Sequence, residues 1–447
     1  MIRGRADVQT SLWPAEESLA GNYFVSTYPP FSTWTEDQLG QVRRVLGQPP
    51  PPGDAPPLGL YVHVPFCVKR CDYCYYLSYA GKPTRDVDAY IDGLLRELDT
   101  FARTPALARR RLDFVYFGGG TPSLLTPLQL NRLLGGLQAV MSWTEVREVT
   151  FECAPQSVTP ERLAVLREHG VTRISLGVQQ LDDDVLRRSG RVHLTADVER
   201  AWLAIRSADF PIVNVDLIVG LPGETEASLD AGLERVIAMQ PESVTIYQLE
   251  IPQNTPLFRH WRDGETPVEP ADWPTKRARL DRAFARLEQR GYVVRSAYAA
   301  VRDPARHAFV YQDAQYAGAD LLGIGVSSFS YIAGVHFQNV ADLERYLARL
   351  SGGDLPLQRA CALSWQERLI REFVLQLKLG AAGAARFRHR FGVDVLEYFA
   401  EPLSRFAAAG LLNTDEGGVT LTREGLLCVD RLLPAFYLDR HRSVRYT

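Results

Sequence analysis

Three cysteines, Cys67, Cys71 and Cys74, stand as Cys-x3-Cys-x2-Cys at the end of a short β-branched run. Thiolates so spaced on one loop can converge on a single small object. A cubane [4Fe–4S] cluster fits, with three irons held by cysteine and the fourth left open. Structural zinc normally takes four protein ligands, and no fourth Cys and no Cys-x-x-His lies nearby. A disulfide reading fails on parity and on the lack of a secretory signal. Free cysteines packed as small apolar residues would have no reason to crowd, yet half of the six cysteines share this loop.

Two further patterns could serve a ligand beside such a cluster. Gly118, Gly119 and Gly120, followed by Thr121 and Pro122, end a second apolar run. Without Cβ atoms the backbone there can come close to a ligand; a plain turn after a strand requires less glycine. Glu152 and Asp216 lie in or at the end of apolar runs. Isolated charge is costly there, so each acid either pairs with a base, such as Arg173, or binds a ligand's hydroxyl or ammonium groups.

Regular elements must position these groups. Apolar runs predict strands at 60–64, 114–117, 149–152, 173–178, 212–219 and 244–249. Amphipathic stretches predict helices at 87–102, 127–140, 160–169, 197–207 and 226–239. Such alternation predicts an α/β fold of right-handed βαβ units, here a partial (β/α)6 TIM-type barrel. In these barrels chemistry sits at the C-terminal ends of the strands. The cysteine loop follows the first strand and 118–122 the second. Glu152 ends the third strand, Gln179 ends the fourth, and Asp216 lies in the fifth. A helix at 274–290 and a strand at 292–297 follow, and the glycine-spaced run 318–330 could close the barrel's side.

Three segments are expected: an aromatic arm with a polyproline linker at 1–57, the barrel at 58–335, and a mainly helical, winged-helix-like domain at 336–447. In the last, helices at 387–399 and 402–409 precede a hairpin at 411–422 turning on Gly417 and Gly418. A winged helix raises DNA binding, but the acidic tip Asp415–Glu416 repels phosphate, and a structural cap is the expected role. The net charge of −3 points to no polyanionic partner. No apolar run of about 18 residues predicts a membrane span. The first residues lack the apolar core of a signal peptide. A cytoplasmic protein is expected, with reduced cysteines.

The cysteine loop, with Tyr73 inside it and Tyr-Val-His-Val-Pro-Phe before Cys67, resembles the HemN branch of the radical S-adenosylmethionine (SAM) superfamily. The resemblance extends to Tyr-x-x-Ser-x-Tyr-Pro in the arm, which in that family covers the active site; a strap merely packed on a neighbouring surface fits equally. It extends also to the segments 173–180 and 190–193. It implies a cluster on Cys67, Cys71 and Cys74 whose open iron is chelated by SAM, cleaved to methionine and a 5′-deoxyadenosyl radical. It further implies two SAM molecules. Tyr61, Gly119, Glu152 and Phe329 would line the first; Tyr73, Gly120, Thr121, Gln179, Arg191 and Asp216 the second. An electron donor such as flavodoxin or ferredoxin is implied as a partner.

One departure bears on the reaction. The family's coproporphyrinogen oxidases carry a Cys two residues after the third cluster Cys, where this chain has Tyr76. Haem chaperones of the HemW type also lack it, but carry His-Asn-x-x-Tyr-Trp, of which His307 and Tyr311 alone remain here. The expected function is therefore that of HemN-like methylases and cyclopropanases, which carry a methyl or methylene group from the second SAM to an sp2 carbon of a small molecule. A downstream methyltransferase-like enzyme would be a further partner. Oxidative decarboxylation and haem trafficking are the alternatives. A general base could be Tyr73, Tyr75, Tyr76 or His193.

Overall fold

The computed structural model describes residues 17, 25, 27–51, 53, 55–265 and 269–442. Of the arm motif, Tyr23 and Ser26 lie outside the described residues. Six strands alternate with helices from residue 58: β1 (Leu58–Val64), β2 (Leu112–Gly119), β3 (Glu148–Cys153), β4 (Arg173–Gln179), β5 (Ile212–Val219) and β6 (Ser243–Gln248). Successive side chains of a strand point to opposite faces, and here the two sets differ in chemistry. Leu60, Val115, Phe151, Leu176, Val215 and Ile246 pack outward into the main core under the helices. Tyr61, Tyr116, Glu152, Gly177, Asp216 and Thr245 face inward around a cavity. The strands pair in parallel, with Tyr61 beside Tyr116, Glu152 beside Ser175, and Asp216 between Gly177 and Thr245.

The intervening helices span Thr84–Ala102, Pro127–Val140, Pro160–Glu168, Thr195–Ser207 and Glu226–Met239. Several begin on side-chain caps. Thr126 accepts from the Gln129 amide while the Gln129 side chain accepts from the Thr126 amide, a reciprocal capping box. Thr159 accepts from the amide of Arg162 in the same way. These caps fix where each strand–helix connection ends, and hence the level of the cavity mouth.

The sheet does not stop at six strands. Helix Trp273–Glu288 leads to β7 (Val293–Val294) and β8 (Ala299–Val301), which add antiparallel beside β6. The glycine-spaced run supplies β9 (Asp320–Ile324), parallel to β1 on its other side. Strands β10 (Phe329–Ile332), β11 (Val335–Asn339) and β12 (Leu357–Ala362) continue antiparallel, giving twelve strands in one open sheet. The ends do not pair with each other, so the barrel is partial. Gly323 is required in β9, since a Cβ there would lie 2.1 Å from the Phe329 carbonyl oxygen.

The boundary expected at 335/336 therefore falls within the β10–β11 hairpin. Its physical correction is the unbroken ladder of backbone hydrogen bonds, which carries the sheet on to Ala362. Beyond it, helix Trp365–Leu377 opens the C-terminal unit. Strands β13 (Ala381–Gly383), β14 (Leu412–Asp415) and β15 (Gly418–Leu421) form a three-stranded antiparallel sheet against helices Ala384–Phe391 and Ala400–Ala408. This is the winged-helix-like arrangement, built on its own core of residues such as Phe373, Phe387 and Phe406. The helix expected over 387–399 is divided, because Gly392 adopts a left-handed φ of 69° and Asp394 caps a new turn through the Leu396 amide. Arg423 docks the unit on the barrel through Asp281 and Glu288 of helix Trp273–Glu288. Among the described residues no helix is long and apolar enough to cross a membrane.

Candidate active site

The cysteine loop leaves the C-terminal end of β1 and is bracketed by two short paired segments, Phe66–Cys67 and Tyr79–Ala80. The glycine run at the end of β2 lies against it. The Gly120 amide donates to the Val64 carbonyl at 2.8 Å and the Thr121 amide to the Phe66 carbonyl at 2.9 Å. A Cβ on Gly120 would stand 2.8 Å from the Phe66 oxygen, and one on Gly119 would meet the His63 ring at 2.5 Å. Glycine is thus demanded by packing as well as by any ligand. Cys67 Sγ accepts from Thr121 Oγ1 at 3.8 Å, and Cys71 Sγ from Arg191 Nη1 at 3.1 Å. Burial pushes the Cys67 thiol up and Cys74 up to about 11, with the neighbouring Cys71 adding to both.

This donor set fits a cubane. The three half-buried sulfurs all line the same cavity, beside one arginine and a hydroxyl that can donate to them. Among the described residues no three His, Cys, Asp or Glu side chains close on a single metal ion. A cubane makes no such demand, since each cysteine binds a different iron.

The cavity has a volume of about 920 Å³ and runs from the loop across the inward face of the sheet to the C-terminal unit. Glu152 lines it from β3. Tyr116 Oη donates to Glu152 Oε1 at 2.8 Å and the Gly119 amide to Oε2 at 3.3 Å. Burial raises Glu152 to about 7, with the charge of Asp216 contributing. Asp216 accepts from Ser175 Oγ at 2.7 Å and Asn214 Nδ2 at 2.8 Å, and burial raises it to about 6. Neither acid pairs with Arg173. That guanidinium meets Glu148 at the opposite end of the strands, 2.8 Å away. Glu152 and Asp216 are thus acids held by neutral donors, and among the described residues no cationic side chain is bonded to either.

The remaining sequence candidates divide. Arg191 bridges Cys71, the Gly177 carbonyl (3.0 Å) and Tyr73 Oη (3.5 Å), and its buried Nε has no acceptor among the described residues. Gln179 lines the same wall with a left-handed φ of 66° at an irregularity in β4, a conformation uncommon outside glycine. Tyr61 stacks on Tyr116 at 5.9 Å. Tyr75 and Tyr76 stack on each other at 4.6 Å. Tyr76 is half exposed, but to the cavity, and loss of bulk water raises it to about 12. Tyr73 and Tyr75 are raised further, chiefly by burial, so none of the three is poised as a base near neutral pH. Phe329 contacts the arm residues Phe31 (4.3 Å) and Trp34 (5.7 Å).

His193 is a correction. It is fully buried and does not line the cavity. Arg191 Nη2 donates to its Nδ1 at 3.1 Å, which leaves Nε2 to donate to the Val178 carbonyl at 3.0 Å. Burial and the neighbouring Arg191 hold it down at about 3. It is a neutral strut that orients Arg191, not a proton carrier to a substrate. His307 likewise lies outside the cavity wall. Sequence reasoning missed Tyr116, Asn214 and Ser175. The register of the sheet was the signal that could have found them, because each alternates with an outward apolar neighbour.

Comparison with known proteins places this geometry. Residues 61–236 match the radical SAM superfamily, and residues 363–428 match the HemN C-terminal domain. The oxygen-independent coproporphyrinogen III oxidase of Pseudomonas aeruginosa is 30% identical over 87% of this chain and 88% of its own length. The heme chaperone HemW of Bacillus subtilis is 27% identical over 84% of this chain and 98% of its own. The structure of coproporphyrinogen III oxidase (HemN) from Escherichia coli, a radical SAM enzyme, superposes with a TM-score of 0.79 at 26% identity, covering 92% of this chain and 96% of that one. A superfamily that works through a [4Fe–4S] cluster and SAM explains why three thiols, a glycine cradle and an isolated buried acid meet at one barrel mouth: the chain belongs to the HemN-like family of radical SAM enzymes.

Proposed function

We propose that this chain is a radical SAM oxidase, removing hydrogen and CO2 from a carboxylate-bearing small molecule held in the barrel cavity. The observation that supports this most is agreement over nearly the whole length, barrel and C-terminal unit together, with an enzyme named as an oxidase. When bound, the cluster supplies the electron that splits SAM into methionine and a 5′-deoxyadenosyl radical. The protein's own part is to bind, orient and exclude water. Cys67, Cys71 and Cys74 would hold three irons, and Arg191 and Thr121 would direct hydrogen bonds at their sulfurs. The glycine run would let SAM approach the backbone, and Glu152 would accept from its hydroxyls or ammonium. The arm and the C-terminal unit close the cavity around the substrate. A one-electron donor such as flavodoxin or ferredoxin would be the partner; the substrate's hydrogen atom would pass to the 5′-deoxyadenosyl radical, and the electron left as CO2 departs would go to a one-electron acceptor.

A second reading, transfer of a methyl or methylene group to an sp2 carbon, has two observations in its favour. Tyr76 stands in the cavity where the resemblance would put a further cysteine. Gln179, Arg191 and Asp216 also form a second polar set on the wall that could take a second SAM. A haem-carrying role has less support, because His307 lies away from the cavity. Reduced, cluster-loaded protein incubated with deuteromethyl-SAM and candidate substrates separates these. Release of CO2 with 5′-deoxyadenosine and no label in product fits the oxidase. Label in product with S-adenosylhomocysteine fits carbon transfer and displaces it.

A further inference from the structure

Away from the cysteine loop the same cavity continues into a chamber lined by arm residues and Phe329. Its walls are β10 and β11, the arm residues Phe31 and Trp34, and the first C-terminal helix, Trp365–Leu377. Trp34 stacks on His336 at 4.8 Å and 16°, and the Tyr331 ring lies tilted 4.6 Å from the same imidazole. Burial and the nearby Arg371 keep His336 neutral. The chamber is therefore largely aromatic, and the charged side chains that line it beside these rings are the arginines Arg359 and Arg371.

Arg371 reaches in from the C-terminal helix with its guanidinium 3.9 Å from the Tyr331 ring centre. It is 4% exposed, and its Nε and Nη1 have no hydrogen-bond acceptor among the described residues. The neighbouring acids are already engaged: Glu372 by Arg386 and Arg390, and Asp320 by Arg110. Other arginines of the wall have acceptors. Arg359 donates to Gln338 Oε1 and the Phe31 carbonyl, and both Arg277 and Arg431 meet Glu17. A buried cation without an anion is expensive to maintain, and a guanidinium stacked on a ring keeps its edge available for a carboxylate.

We propose that Arg371 is a carboxylate subsite for the substrate: the chamber takes a flat, unsaturated ring against Trp34, Phe329 and Tyr331, and an acidic arm of the same molecule pairs with Arg371. The subsite rests on the oxidase reading only in assuming that this chamber holds the substrate. It makes the C-terminal unit part of substrate recognition, since Arg371 belongs to that unit and the ring wall belongs to the barrel.

The test is equilibrium binding of coproporphyrin III, a flat tetracarboxylate, and of its tetramethyl ester, to cluster-loaded protein. Wild-type protein should bind the acid at least about tenfold more tightly than the ester. Arg371→Gln should weaken acid binding about 10–100-fold and leave ester binding unchanged, and Arg371→Lys should restore part of the loss. Equal binding of acid and ester by wild type, or equal acid binding by wild type and Arg371→Gln, overturns the subsite. The acid-to-ester ratio in wild type carries the test even if the glutamine variant misfolds. Turnover is read separately: CO2 release from wild type reports the oxidase reaction, and its absence would count against that reaction without altering the binding comparison.

Discussion

At the scale of single residues, the site is a set of groups each kept from its ordinary state by its surroundings. Cys71 is the sulfur that Arg191 contacts, and removing it leaves two thiolates for a cluster that needs three. Cys71→Ala should therefore retain almost no iron or sulfide after anaerobic reconstitution; a variant with wild-type iron content would remove the cysteine loop from the metal site. Glu152 offers a pH test with a definite sign. Its carboxyl is raised to about 7, so in the ligand-free protein it is largely protonated at pH 6 and largely ionised at pH 8. A cationic ligand prefers the ionised form, and apparent affinity scales with the competent fraction. SAM should bind about tenfold more weakly at pH 6 than at pH 8 on this account. Glu152→Gln should flatten that part of the profile, the variant also subtracting any titration of SAM itself. An unchanged slope in the variant would detach Glu152 from SAM. His193 shows where residue type alone misleads. Beside Gly190 and Arg191 its sequence reads as an available base, yet both ring nitrogens are spent on Arg191 and Val178. Nothing local in the sequence distinguishes a strut from a base; the burial comes from β4 and the loop folding over it.

At the scale of elements, the contact between the β2 turn and the cysteine loop decides whether the cluster site forms. A Cβ on Gly120 would approach both the amide nitrogen and the carbonyl oxygen of Phe66 at 2.8–2.9 Å, and these are backbone atoms. Gly120→Ala must displace the loop, so we expect a loss of about 1–3 kcal/mol together with poor iron incorporation. Gly40→Ala is the control, since nothing lies within 4 Å of its Cβ. Thermal melts and iron content of the two variants check this, and normal iron in Gly120→Ala would show the turn to be tolerant. The six parallel strands were legible because each is a short apolar run set between amphipathic helical stretches. The helices over 127–140 and 226–239 were legible to the residue, their starts marked by Thr126 and Thr225. The extension of the sheet was not. Strands β10 and β11 carry Ser330, His336, Gln338 and Asn339, which look like loop chemistry and are buried by partners distant in sequence: Trp34 stacks on His336, Asn339 donates to Glu97, and Gln338 accepts from Arg359. Arg371 was invisible for the same reason: in Trp365–Leu377 it reads as one more charged position on an amphipathic helix.

At the scale of the whole molecule, the mouth that binds and the floor that holds the strands together are separate. The floor is closed by Arg173, 1% exposed, which donates to Glu148 Oε2 at 2.8 Å, Ser243 Oγ at 3.1 Å and the carbonyls of His307 and Ala308. One side chain thus ties β3, β4, β6 and the segment before helix Val310–Tyr316, while Phe309 stacks under its guanidinium at 4.1 Å. Removing one partner of a buried pair strands the other charge, so Glu148→Ala should cost about 3–5 kcal/mol of stability. Replacing both, as Arg173→Met with Glu148→Leu, should recover much of that loss, because a well-packed apolar pair needs no desolvated charge. The double variant should also bind SAM as wild type does, since neither Arg173 nor Glu148 lines the cavity and the floor meets its wall only through neighbours such as Phe309 and Tyr311. Denaturant unfolding of Glu148→Ala and of the double variant, with SAM affinity measured alongside, decides the matter. A double variant that regains stability but loses SAM binding would mean that the floor sets the geometry of the mouth through the strands, and that the barrel acts as one coupled body rather than as a scaffold with an independent site.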